Sequence, residues 1–176
     1  MKKFFLYGSV VIIAILLILI MIAPKSETIQ RSIIIEKPID VVYPYFASLQ
    51  NIEEYDVLQT LDPNTVHEYR GVGNTVGSVR AWKSEHKRVG VGEQEIIEMI
   101  PNKEIISELR IEKPVEFNST TFFKFDDNGT DTKVIWGQDL YYGALQSVFM
   151  MLVDVNKLKG SDLEKGLQNA KSILEE

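Results

Sequence analysis

The sequence predicts an α+β domain in which an antiparallel sheet packs on a long C-terminal helix, behind a separate apolar helix at the N-terminus. Three observations predict it. Segments of strand length, rich in β-branched and aromatic residues and divided by Gly, Pro, Asn and Asp turns, run from 66 to 141. The tail from 143 to 176 returns to a helical period. Residues 4–23 form a run of twenty without a charge.

That apolar run follows a short basic N-terminus, residues 1–3 with Lys2 and Lys3. At about 1.5 Å per residue its length matches a hydrocarbon core of roughly 30 Å, so 4–23 is expected to be a transmembrane helix. A cleavable signal peptide has a shorter apolar core of about 7–15 residues and small residues before the cut. A cut after Ala23 puts Met21 in one of those small-residue positions and Pro24 just beyond, so retention is the expectation. No cysteine follows, which excludes a lipoprotein anchor. Lys2 and Lys3 on the cytoplasmic side place the following domain outside the cytoplasm, as a single-pass membrane protein.

After a linker at 24–28, the domain is expected to occupy 29–176. The stretch 29–36 (IQRSIIIE) is β-branched and stops at Lys37-Pro38, a first strand. Pro38 suits a first helical turn, and Val41, Val42, Tyr45 and Phe46 then form an apolar stripe on a short helix. A second short helix covers 49–55. Six strands follow at 66–69, 78–85, 91–99, 104–112, 119–125 and 133–141, with turns GVGN, HKRVG, IPNK, Lys113-Pro114 and DDNGTD between them. In the tail, Leu163, Leu167, Ala170 and Leu174 recur at helical spacing, and Ser161 with Glu164 suggests a capping box at the helix start. Such a stripe must be buried, and the sheet face is the surface large enough to bury it.

Composition removes several function classes. Apolar residues at 45% and charged residues at 25% suit one folded domain. Removing Lys2 and Lys3 from the 19 basic residues leaves 17 against 25 acidic ones, about −8, which disfavours a nucleic-acid partner. With no cysteine there is no disulfide, thiolate metal site or Cys nucleophile. His67 and His86 lack paired-ligand spacing, so no metal and no cofactor are expected. The glycines at 71, 73 and 77 are flanked by strands, which marks a turn and not a nucleotide loop. No G-x-S-x-G motif is present.

The order of strand, two short helices, antiparallel strands and long C-terminal helix is that of the helix-grip fold. The stretches RSIIIEKPIDVVYPYFASLQNIEEY (31–55), GVGNTVGSVRAWKS (71–84), IIEMIPNKEI (96–105), NGTDTKVIW (128–136) and SDLEKGLQNAK (161–171) resemble the SRPBCC superfamily, also called START-like or Bet v 1-like. Among its members the chain is most similar to membrane-anchored bacterial proteins of the polyketide cyclase/dehydrase type. The resemblance implies a curved sheet gripping the last helix around a cavity. Relatives often carry a W-x-x-W pattern in the second short helix, where this sequence has Tyr55 and Leu58.

Period-two alternation sorts the sheet face that meets the helix. Phe123 and Phe125, Val134 and Trp136, and Ile105, Leu109 and Ile111 are its apolar sets. By the same parity Ser107, Thr121 and Gln138 point inward, as do Arg80, Trp82, Gln94 and Glu98. These polar and aromatic residues are the candidate ligand-binding set, with Glu98 the expected partner of Arg80. The function expected is a membrane-tethered binding domain for a hydrophobic or amphipathic, lipid-like small molecule. An enzyme using an inward acid or base such as Glu98 is the alternative, and a protein-interaction module with an incidental cavity is the third.

Overall fold

The computed structural model describes residues 2–176, with side chains from residue 7 onward. It is an α+β fold. Helix α1 (Lys2–Ile22) leads into β1 (Ser26–Ile35), followed by the short helices α2 (Ile39–Ala47) and α3 (Ile52–Tyr55) and a 3-10 turn at Gln59–Leu61. Six strands come next: β2 (Val66–Arg70), β3 (Val79–Lys83), β4 (Val91–Ile100), β5 (Glu104–Lys113), β6 (Phe117–Asp127) and β7 (Thr132–Tyr141). Helices α4 (Ala144–Met150) and α5 (Val155–Glu175) complete the chain.

The strands form one antiparallel sheet in the order β1-β7-β6-β5-β4-β3-β2. Five hairpin links carry the chain from β2 to β7, and β7 returns beside β1. Helix α5 then packs against β1, β7 and α3. Its stripe is the expected one: Leu163, Leu167 and Ala170 are buried. Gly166 lies on the same face, where a Cβ would stand 2.6 Å from the Trp136 ring, so its bare backbone lets the helix approach the sheet.

Two expectations about the tail are corrected. Helix α5 begins at Val155, not near Ser161, because Asp154 accepts the Lys157 backbone N–H at 2.9 Å and caps it earlier. Ser161 is an exposed residue within the helix. The chain before it forms the separate short helix α4.

The expected transmembrane span over 4–23 is not found. Helix α1 is helical and apolar, yet among the described residues no helix is long and apolar enough to cross a membrane. The single-pass membrane placement, and the extracytoplasmic location that depended on it, are overturned.

At the base of the sheet the core is aromatic. Phe46 of α2 lies 4.9 Å from Phe123, Tyr43 meets Phe125 edge-on at 5.3 Å, and Tyr55 stands edge-on to Trp136 at 5.6 Å. On the same face, paired residues form lateral rows. Arg80, Gln94, Leu109 and Ser119 make one, and Ile96, Ser107, Thr121 and Gln138 the next. Between Ile96 and Glu98 the register of β4 shifts at a bulge. The extra residue reverses the alternation beyond it, so Met99 pairs with Ile105 and packs on the core. Glu98 is thereby turned to the exposed face.

The opposite face is polar. Glu95 stands across from Glu108, a like-charge pairing that Arg110 resolves: its Nε reaches Glu93 at 2.7 Å, its Nη2 reaches Glu95 at 2.7 Å, and its Nη1 bonds Glu108. The hydrogen bond from Arg110 is the main reason the Glu93 carboxyl sits below its usual range. A depressed folded pKa contributes stability above the unfolded value of about 4.3, and that contribution disappears as pH falls through the folded value. Arg110→Ala is therefore expected to cost about 1 kcal/mol at neutral pH and progressively less as pH falls below the unfolded value of about 4.3. Urea denaturation of both proteins across that range checks it, and a difference independent of pH contradicts it.

Candidate functional site

The candidate site is a cavity lined by residues of β3, β5 and α5. After α3, Asp56 closes the helix with its backbone N–H on the Ile52 carbonyl, and its carboxylate accepts the Leu58 N–H at 2.8 Å. This tight connection sets Asp56 and Leu58 over the sheet. The cavity, of about 120 Å³, is walled by Asp56, Leu58, Arg80, Trp82, Leu109 and Lys159, among others. A second space of about 70 Å³ shares Asp56, Leu58, Leu109 and Lys159 and reaches Trp136 and Gln138.

Arg80 dominates the electrostatics. It is 1% exposed, and its guanidinium carbon lies 4.8 Å from the centre of the Trp82 ring. Its Nε and Nη1 have no hydrogen-bond partner among the described residues. Burial pulls its pKa down, against the opposing attraction of Asp56 and the hydroxyls of Tyr69 and Tyr55. Burial likewise pushes the Asp56 carboxyl up, and Arg80 opposes that rise. The Tyr55 hydroxyl is also buried without a partner, and desolvation raises its pKa well above the usual phenol range. Beside them, the Tyr69 hydroxyl bonds Glu53, whose carboxylate lies 3.6 Å from His67 Nδ1.

Seven of the eight residues named from the sequence are buried on this face: Arg80, Trp82, Gln94, Ser107, Thr121, Trp136 and Gln138. Several already have partners. Trp136 Nε1 donates to Thr121 Oγ1 at 3.1 Å, and that hydroxyl donates to the Gly137 carbonyl at 3.0 Å. Gln138 Nε2 donates to Ser119 Oγ at 2.8 Å, and Trp82 Nε1 donates to the Val89 carbonyl at 3.1 Å. Gly92 makes room for Trp82, since a Cβ there would stand 2.8 Å from its ring. The eighth residue, Glu98, is exposed on the other face because of the bulge, so it does not pair with Arg80.

Asp56 and Lys159 line the cavity without having been singled out, and Leu58 joins them. Leu58 was visible in the sequence as one of the two departures from the W-x-x-W pattern. Tyr55, the other, is fully buried in the aromatic core. Lys159 follows from the early start of α5, which adds a helical turn that a start near Ser161 omits.

The fold has counterparts among solved structures. The chain is similar to ginseng major latex-like protein 151 from Panax ginseng, at 14% identity and a TM-score of 0.58, covering 85% of this chain and 97% of that one. It is similar to Ara h 8.0201 at 8% identity and a TM-score of 0.54, with 85% and 97% covered. A protein of Chromobacterium violaceum matches at 11% identity and a TM-score of 0.59, again with 85% and 97% covered. No family model and no curated protein matches the chain. The likenesses establish the Bet v 1-like, helix-grip fold.

Proposed function

We propose that the domain holds a hydrophobic or amphipathic small molecule in the cavity between its sheet and α5. The observation that carries this reading is the cavity itself: Leu58, Trp82, Val89, Leu109, Ile111 and Phe117 form apolar walls beside the buried Arg80. Such a lining suits a small-molecule site. The Bet v 1-like fold supports the same reading. Acid/base chemistry between Glu98 and Arg80 finds no support in the geometry, because the two lie on opposite faces of the sheet.

Leu109 borders both spaces, so Leu109→Trp fills the site from within. Binding of a neutral naphthylamine fluorophore to the purified protein is expected to weaken at least about tenfold in this variant. The tenfold figure corresponds to about 1.4 kcal/mol of lost binding. The melting temperature should stay close to that of the wild type. Unchanged fluorophore binding in a folded Leu109→Trp variant refutes the assignment.

A further inference from the structure

We infer that the ligand is an amphipathic organic anion whose carboxylate is received by Arg80, an inference that rests on the ligand-holding reading above. A buried guanidinium with two unpartnered nitrogens is costly to keep, and the cost is relieved when an anionic oxygen replaces the missing partners. The neighbouring groups leave that task to a ligand. Thr121, Trp136, Gln138 and Trp82 have their own hydrogen bonds, and Glu98 is turned away. Asp56 lines the same cavity but directs a carboxylate oxygen to the Leu58 N–H.

The rest of the ligand is apolar. Beyond Phe117 and Lys159, which also border the Arg80 cavity, an apolar groove of about 200 Å³ continues between Leu140, Met150, Val155 and Leu158. A head at Arg80 with a hydrocarbon chain leading past Phe117 occupies both. The lining sets Arg80, Arg88, Lys113 and Lys159 against Asp56, so the cavity is positive overall and suits an anionic head. These features together describe a long-chain carboxylate.

The test compares dodecanoate, dodecanol and dodecyl phosphate by calorimetry on the wild-type chain and on Arg80→Met. Arg80→Gln serves as a second uncharged variant, and thermal melting confirms that the variants fold. Dodecanoate is expected to bind the wild type about tenfold or more tightly than dodecanol, as a charge-assisted hydrogen bond to a desolvated guanidinium provides. In Arg80→Met and Arg80→Gln that preference should fall to about one, with dodecanol binding retained. Equal affinity for acid and alcohol in the wild type, or a preference that survives loss of Arg80, overturns the anion assignment while leaving the hydrophobic site intact. Tighter binding of dodecyl phosphate than of dodecanoate overturns the choice of carboxylate. Failure of all three to bind the wild type rejects the proposed function itself.

Discussion

Trp136→Ala is expected to lower stability by about 3–5 kcal/mol, the range for emptying a large aromatic site in a packed core. The indole is 8% exposed and lies at the junction of three elements. It stacks on Phe123 at 5.2 Å with an interplanar angle of 26°, takes the edge of Tyr55 at 5.6 Å, and receives the bare backbone of α5 at Gly166. Removing it leaves a gap between helix and sheet that rigid neighbours on both sides cannot close. Its hydrogen bond to Thr121 is the smaller part, because that hydroxyl keeps the Gly137 carbonyl as its own acceptor. Trp136→Phe should accordingly recover most of the loss, retaining the stack and forfeiting about 1 kcal/mol for the bond. Urea denaturation of the three proteins decides it. A loss below about 1 kcal/mol for Trp136→Ala would show that α5 is not seated on this ring.

Gly90→Ala should cost about as much, about 3–5 kcal/mol, for a different reason. Gly90 has a φ of +66°, in the left-handed region that side chains resist. A Cβ there would also stand 2.0 Å from the Lys113 carbonyl oxygen and 2.8 Å from its carbon. Both are backbone atoms at the end of β5, so no side chain can swing away to accommodate the methyl group. The strain reaches the cavity directly, since the adjacent Val89 carbonyl accepts the Trp82 indole N–H and Val89 is part of the wall. The variant should therefore lose both stability and fluorophore affinity. Gly77→Ala is a useful control: φ is +86° there, but nothing lies within 4 Å of the added carbon, so only the conformational penalty applies. Equal losses in the two variants would remove the steric half of the argument.

Much of this fold could be read from local chemistry. Turn residues and period-two alternation located all seven strands, and the Leu163, Leu167, Ala170 stripe located the helix they grip. Two of the readings that failed did so where a single residue outweighed a pattern. Parity placed Glu98 inward, but a bulge of one residue reverses parity, and nothing in EQEIIEMI announces it. Ser161 with Glu164 matched a capping pattern, yet Asp154 caps the helix earlier without a glutamate three residues on. The charge-free run at 4–23 matched a membrane thickness by length, whereas no helix among the described residues is long and apolar enough to cross one. Within the site, Arg80 was legible because an inward cation in a strand is conspicuous. Asp56 was not, because its place over the cavity depends on a short helix ending against a sheet far away in sequence.

The bulge in β4 has one more consequence. Before it, Gln94 pairs with Arg80 and Leu109, two walls of the cavity; after it, Met99 packs on the aromatic core. The two ends of one strand thus border different parts of the fold. Substitutions at Arg80 and Leu109 are expected to reshape the cavity while Met99, Ile105 and Phe123 keep the core together.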